Sequence, residues 1–270
     1  MPHAQFGKVR LWFETAGDQG PRVLLIMGLA TAGDAWAPQV LGLQGTSRVA
    51  WFDNRGVGRS ESPRRPYRCR VMADDAAALL DHLGWDQAHV VGVSMGGMIA
   101  QHLALNHRAR VQSLSLIATH AGGGALPPSP LALCLFAGTR FGSPDARWRR
   151  LSRALFPVDY LASPESLPLL TAMRSVVGSR DDHTAVALHL PAVFTHRSAH
   201  RLHELDGLPT LIIRPGRDIV IHPRESDRLH RLIPGSRLVR FDRAGHGINA
   251  QCAEALNANL REHFTTAFPS

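Results

Sequence analysis

Ser94, Asp218 and His246 lie far apart in the chain, yet each has the side chain and the neighbours that nucleophilic hydrolysis requires. Ser94 stands in Gly92-Val93-Ser94-Met95-Gly96, a G-x-S-x-G pattern with an apolar run before it and a helix-forming segment after it. That context predicts a serine on a tight strand-to-helix turn, its hydroxyl clear of the backbone. A turn so sharp crowds its neighbours, so Gly92 and Gly96 are small for steric reasons. The helix that starts there aims unpaired N–H groups at the hydroxyl and favours developing negative charge. A serine hydroxyl is a poor nucleophile at neutral pH. It needs a base, and the base needs an acid to orient it. In the parallel-sheet fold class that carries its serine on such a turn, the chain order is serine, acid, histidine. Asp218 follows the apolar run 210–214 in Arg214-Pro215-Gly216-Arg217-Asp218, and His246 follows the run 237–241 in Ala244-Gly245-His246-Gly247. All three are expected beyond the C-terminal ends of parallel strands, where open α/β sheets bind ligands.

Other residues compete for these roles. Asp242 also ends a strand, but it directly precedes the His246 loop and reads as a loop-stabilising residue. His82, His102 and His107 fall in helical segments as surface or packing residues, and His222 reads as opening a helix. His120 ends the run 113–118 on the same edge, which gives it a pocket-lining reading beside a packing one. The pattern around Ser94 also has a bland reading, a glycine-flanked serine at an ordinary turn, which the strand and helix on either side outweigh. An oxyanion needs two donors. The Met95 amide is one. The loop after 23–27 is placed to give the other, where Gly28 allows close backbone approach and the donor is Leu29 or its rival Met27.

The elements that must position these residues alternate along the chain. Residues 8–15 alternate with the period of a half-buried strand, and 23–27 and 48–52 are apolar runs suited to strands covered on both faces. Residues 71–83 form a helix pattern that stops at Gly84. Strands at 89–93, 113–118, 210–214 and 237–241 alternate with helices at 94–106, 222–232 and 249–264. Such alternation implies crossover connections, hence an α/β class with a mostly parallel central sheet and helices on both faces. It breaks between 121 and 205, where helix-like segments at 131–141, 148–155, 166–177 and 182–195 follow Gly122-Gly123-Gly124. The expected organisation is a core of residues 1–120 and 206–270 with a helical cap inserted at 121–205. Leu131, Leu133, Leu135 and Phe136 in that insertion read as the cover of an apolar cavity or as plain packing onto the sheet.

Composition narrows the function classes. With 270 residues, 44% hydrophobic and 19% charged, the chain suits one large globular domain carrying an insertion. The net charge of +8 comes from arginines scattered along the chain, clustered at Arg64, Arg65, Arg68 and Arg70 and at Arg147, Arg149, Arg150 and Arg153; Lys8 is the only lysine. No aromatic residues interleave with them, so no nucleic-acid partner is expected. Cys69, Cys134 and Cys252 match no metal or redox spacing, and the 15 histidines form no metal-binding pair, so neither metal nor cofactor is expected. The apolar run after Arg22 begins too far into the chain for a secretory leader, and no apolar stretch approaches about 20 residues, so no membrane partner is expected. A cytoplasmic monomer or homodimer acting on a small-molecule ester is the expectation.

These segments together resemble the α/β-hydrolase family over nearly the whole chain, and within it the small capped enzymes that include 3-oxoadipate enol-lactonases, aclacinomycin methylesterase-like proteins and bacterial esterases. The resemblance rests on Ile26-Met27-Gly28-Leu29, on Phe52-Asp53-Asn54-Arg55-Gly56-Val57-Gly58-Arg59-Ser60, on Gly92 to Gly97, and on the Asp218 and His246 loops. It implies a triad of Ser94, Asp218 and His246, an oxyanion hole from the Leu29 and Met95 amides, a structural turn at Asp53–Ser60 and a lid formed by the insertion. Many relatives carry His-Gly where this chain has Met27-Gly28, a departure that removes an imidazole and leaves the backbone donor. A serine rather than an aspartate at the turn sets aside epoxide hydrolysis and dehalogenation. The implied function is carboxylic-ester hydrolysis of small to medium apolar esters through an acyl-enzyme. Lactone, thioester, carbon–carbon bond hydrolysis and perhydrolysis use the same triad, and a non-catalytic ligand-binding role is the reading from outside enzymology.

Overall fold

The computed structural model describes residues 3–6, 9–61, 66–177 and 183–267. Lys8, Arg64, Arg65 and Asp182 lie outside them. Eight strands form one sheet in the order β1-β2-β4-β3-β5-β6-β7-β8. They are β1 His3–Phe6, β2 Val9–Ala16, β3 Arg22–Ile26, β4 Arg48–Phe52, β5 Ala88–Val93, β6 Val111–Ile117, β7 Thr210–Pro215 and β8 Arg237–Phe241. The β1–β2 and β2–β4 pairings are antiparallel, and every pairing from β4 to β8 is parallel. The parallel strands β3 to β7 read as apolar runs because both their faces are covered, while the edge strand β8 is only partly buried. In β3, Leu24 and Ile26 enter the core on one face while Val23 and Leu25 enter it on the other. Residue by residue, β5 is buried from Ala88 to Val93.

Each face has its own helical layer. On one side pack α2 (Cys69–His82) and α3 (Met95–Asn106), through Met72, Leu79, Leu80, Met98, Ile99 and Leu103, with Leu229 of α9 (Arg224–Leu232). On the other pack α1 (Ala37–Leu43) and α11 (Ala253–Thr266), through Val40, Leu43, Leu256, Leu260 and Phe264. Each fully buried leucine here contributes roughly 1.5–3 kcal/mol. Between β6 and β7 the chain runs through α4 (Pro130–Gly138), α5 (Pro144–Leu155), α6 (Val158–Ala162), α7 (Leu167–Val177) and α8 (His183–Phe194). Ser129 and Ser143 cap α4 and α5 with their hydroxyls, each followed by proline at the first helical position. The stretch is tied at its base by one antiparallel bridge, Gly122 to Arg197.

The structure departs from the sequence reading in four places. Strand β1 was not expected, because His3–Phe6 is too short to show a period and gains order only by pairing with β2. Helices α1 and α6 were also not expected; at seven and five residues both are too short to show a helical period in the sequence. The closing helix is broken at Cys252 (φ −123°, ψ 38°) into α10 (Ile248–Gln251) and α11.

Two buried histidines meet where α11 packs on the sheet, His89 of β5 and His263 of α11 itself. His89 stacks at 4.7 Å on Phe264, and burial together with neighbouring His263 pushes its pKa down to about 4. Burial, with Arg237 nearby, likewise pushes His263 down to about 4. An unfolded chain protonates these rings near pH 6.5. Between roughly pH 6.5 and 4 the unfolded state therefore binds more protons, so stability is full above that window and falls as the pH drops through it. Urea denaturation at pH 7, 6 and 5 is expected to show this slope. In His263→Gln the slope is shallower by close to one proton, about 1 kcal/mol per pH unit. An identical slope in the variant would remove His263 as its source.

Candidate active site

The β5–α3 turn sets the geometry. Ser94 takes φ +54° and ψ −122°, a backbone conformation that costs an L-residue on the order of 1–3 kcal/mol. Four contacts hold it there: the Ser94 amide donates to the Ile117 carbonyl (2.9 Å), the Thr119 hydroxyl donates to the Ser94 carbonyl (2.7 Å), and the Gly97 and Met98 amides donate to the same carbonyl (3.0 and 3.3 Å). The flanking glycines are required by clearance. A Cβ on Gly92 would lie 2.4 Å from the Gly96 carbonyl oxygen, and one on Gly96 would lie 2.0 Å from that of Ile26. Strand β3, the turn and the start of α3 are therefore in backbone contact.

The other two loops meet Ser94 from β7 and β8. His246 Nε2 lies 3.0 Å from Ser94 Oγ, and His246 Nδ1 lies 2.7 Å from Asp218 Oδ2. Asp218 is 4% exposed and His246 8%. Asp218 Oδ1 accepts the amides of Val220 (2.7 Å) and Ile221 (2.9 Å), so the carboxylate is held by its own loop and offers its second oxygen to the ring. A carboxylate against Nδ1 places the ring proton there and leaves Nε2 to accept from the serine hydroxyl. The two loops are also stitched to each other: the Gly216 amide donates to the Phe241 carbonyl and the Arg217 amide to the Ala244 carbonyl, each at 2.9 Å. Gln251 accepts from the Gly245 amide (2.9 Å), and the Leu155 carbonyl of α5 accepts from the Gly247 amide (2.9 Å).

The two segments expected to supply oxyanion donors lie on either side of Ser94. Met95 is the first residue of α3, so its amide has no carbonyl acceptor within the helix. Gly28 sits directly on the serine: a Cβ there would be 3.2 Å from Ser94 Cβ and 3.7 Å from Oγ. The Met27 side chain is buried in the core on the α1 and α11 side, and Leu29 is half-buried. Asn54, quoted in the sequence only as part of a turn, donates from Nδ2 to the Met27 carbonyl (2.8 Å) and so braces this loop. Its neighbour Asp53 is 0% exposed and accepts the amides of Gly33 (2.7 Å) and Arg59 (2.8 Å), which makes the 53–60 turn a scaffold. The signal for Asn54 was its place at the C-terminal end of β4, beside the loop that follows β3.

Some expected site residues lie elsewhere. His120 is buried, accepts the Gly122 amide at Nδ1 (3.0 Å) and packs 5.7 Å from the His196 ring; burial holds its pKa below the ordinary histidine value. That is the packing reading of His120. Leu131 and Leu133 are 51% and 53% exposed, so the inward residues of α4 are Ala132 and Leu135, both buried, with Phe136 half-buried. Asp242 is 83% exposed and faces Arg214 at 4.0 Å, away from the ring of His246. Clefts of about 610 Å³ (Arg214, Arg224, Asp227 and neighbours) and about 440 Å³ (Arg68, Arg70, His102, His196 and neighbours) include no residue of the Ser94, His246 and Asp218 cluster. Among the described residues there is no cluster with a metal-binding set of ligands.

Comparison with known proteins agrees with this architecture. A family described as the alpha/beta hydrolase fold matches residues 21–251. The chain is 28% identical to a protein of Azorhizobium caulinodans named "Putative carbamate hydrolase RutD", over 96% of this chain and 97% of that one. It is 30% identical to a poly(3-hydroxyalkanoate) depolymerase of Ectopseudomonas oleovorans, over 87% and 81%. Among solved structures, the enol-lactonase of Burkholderia xenovorans LB400 superposes with a TM-score of 0.85 at 27% identity, covering 98% of this chain and all of that one.

The clearances at the turn make a direct prediction. Gly92→Ala forces a methyl group into the Gly96 carbonyl, where backbone must move; it is expected to lower Tm by at least roughly 4 °C. Gly45→Ala, at a glycine with nothing within 4 Å, is the control and is expected to leave Tm within about 2 °C. Equal melting temperatures for the two variants would show that the turn is less tightly packed than described.

Proposed function

The chain belongs to the α/β-hydrolase family, and from that premise we propose that it is a serine esterase that hydrolyses small to medium apolar carboxylic esters through an acyl-enzyme. One observation carries the reading: hydroxyl, imidazole and carboxylate stand in series, at 3.0 Å and 2.7 Å, on three loops far apart in sequence. In the first half-reaction His246 Nε2 takes the Ser94 proton as Oγ bonds to the ester carbonyl carbon. The amides of Met95 and Leu29 hold the resulting oxyanion. The tetrahedral adduct then expels the alcohol, which leaves with the proton from His246. In the second half-reaction His246 takes a proton from water as the hydroxide attacks the acyl carbonyl. Ser94 leaves and recovers its proton, and the carboxylic acid departs. Asp218 keeps the ring in the Nδ1–H tautomer and stabilises its charged form. Each oxyanion donor is worth on the order of 10²–10³ in turnover.

The surroundings that favour an apolar acyl or alcohol group are Gly28, which lies directly on Ser94, and Phe156, the residue after α5, which packs against the histidine loop and would meet a Cβ on Gly247 at 2.5 Å. Lactones are the second reading, favoured by the likeness to the enol-lactonase structure, since ring opening uses the same steps with a tethered leaving group. The proposal places the enzyme in the cytoplasm as a monomer or homodimer. Cys69, Cys134 and Cys252 are free thiols, which suits a reducing compartment, and among the described residues no helix is long and apolar enough to cross a membrane.

The test is steady-state turnover of p-nitrophenyl acetate and butyrate, followed by a panel of neutral esters, succinyl half esters, lactones, thioesters and carbamates. Ser94→Ala is expected to lower kcat by at least about 10⁴, and Asp218→Asn by about 10⁴ through the wrong tautomer. Retained turnover in Ser94→Ala would overturn the mechanism. A preference for succinyl half esters over neutral ones would overturn the apolar substrate class.

A further inference from the structure

Helix α8 carries a buried imidazole that the chemistry above does not use. His189 is 0% exposed, and both its ring nitrogens are engaged. Nδ1 accepts the amide of Ala30 (3.2 Å), and Nε2 lies 2.9 Å from the Arg55 carbonyl. Acceptance at one nitrogen and donation at the other fix the neutral Nε2–H tautomer, and burial holds the pKa below the ordinary histidine value. A protonated ring would set a donor against the Ala30 amide.

The partner on each side of this ring matters. Ala30 follows Leu29 and takes φ +49°, a left-handed conformation that an alanine adopts only when its surroundings hold it. The Leu29–Ala30 peptide is gripped at both ends: His189 takes its N–H, and the Thr31 hydroxyl donates to its carbonyl (2.9 Å). On the far side, the Arg55 carbonyl also accepts the Tyr67 hydroxyl (2.7 Å), and the Arg55 guanidinium meets Asp75 with two bonds of 2.6 Å. Tyr67 stands edge-on to the imidazole, ring centroids 5.7 Å apart. The ring is therefore backed by a buried, charge-anchored support. Asn54 holds the same loop at the Met27 carbonyl, so the pair Gly28 and Leu29 is pinned from before and after.

We propose that His189 is a positioning residue for the oxyanion-binding loop, holding the Ala30 amide so that the preceding Leu29 amide faces Ser94. The proposal rests on the reading of Ser94 as a nucleophile. It makes the insertion part of the catalytic apparatus, because α8 supplies the acceptor that keeps a strained loop in its working conformation. A ring present for packing alone could be replaced by any side chain of similar volume. A ring that serves Ala30 can be replaced only by one that offers an acceptor at the Nδ1 position, as the Asn amide oxygen does.

The experiment measures the rate at which a fluorophosphonate labels Ser94, which needs no knowledge of the substrate, together with kcat and KM for p-nitrophenyl butyrate and the Tm of each variant. In His189→Leu, labelling and kcat are expected to fall roughly 10–100-fold while KM stays within about twofold, since misplacing one donor affects the transition state more than substrate binding. His189→Asn is expected to return to within about fivefold of the native rate. His189→Gln, whose amide reaches the Nε2 position instead, stays slow, and this comparison carries the test if the leucine variant fails to fold. Native labelling rates in a folded His189→Leu or His189→Gln would overturn the proposal, as would an asparagine variant as slow as the glutamine one. No labelling of the native protein would overturn the assignment of Ser94 itself, and this inference with it.

Discussion

The site depends on a backbone constraint at one turn. Between β5 and α3 the chain must change from strand to helix while presenting a side chain outward, and Ser94 does so at φ +54°. A strained residue persists only where its surroundings over-determine it. Here the surroundings are the β6 carbonyl of Ile117, the Thr119 hydroxyl and the β3 backbone pressed against Gly96. The same contacts bring the loop after β3 over the serine. One packing arrangement thus presents the hydroxyl and brings the loop after β3 and the start of α3 to it.

The convergence of the other two loops follows from parallel pairing. With β5, β6, β7 and β8 side by side and pointing the same way, residues just beyond their ends fall on a common edge. Direction alone does not bring atoms within hydrogen-bonding distance. That is achieved locally, by Asp218 folding onto the Val220 and Ile221 amides and by Gly216 and Arg217 bonding to the next loop. The helices between β6 and β7 reach the same edge. Leu155 holds the amide of Gly247, and His189 holds that of Ala30, so the insertion is bonded to the histidine loop and to the loop after β3.

Much of this was legible in the sequence, for identifiable reasons. The parallel strands β3 to β7 announce themselves as apolar runs because each is covered twice, and the partly buried edge strand β8 was read at its observed bounds of Arg237–Phe241. Ser94, Asp218 and His246 were readable because short glycine-containing motifs mark loops that follow such runs. Residues whose role depends on long-range bonding were not. Asn54 and His189 lie 27 and 159 positions from their respective partners Met27 and Ala30, and no local pattern links either pair. His120 was placed at the right edge of the sheet, but its direction is decided by the Gly122 amide and the His196 ring. The insertion was legible as helices and illegible in its packing, because α4 and α8 are apolar on several sides and offer no single stripe to orient them.

The narrow base of that insertion has an evolutionary consequence. The chain leaves the core at Gly122 and returns at Arg197 through a single bridge, with the amides of Ser198 and Ala199 both donating to the Ala121 carbonyl. Two ends held this close can be joined by a segment of almost any length, since the entropy of closing a loop grows only with the logarithm of its size. The helical segment could therefore change in length or be replaced at little cost in closure entropy while the sheet stays as it is. Any replacement inherits two obligations, a carbonyl for the Gly247 amide and an acceptor for the Ala30 amide. Recombination that preserves the splice points but loses either one would leave the Gly247 or the Ala30 amide without its present partner.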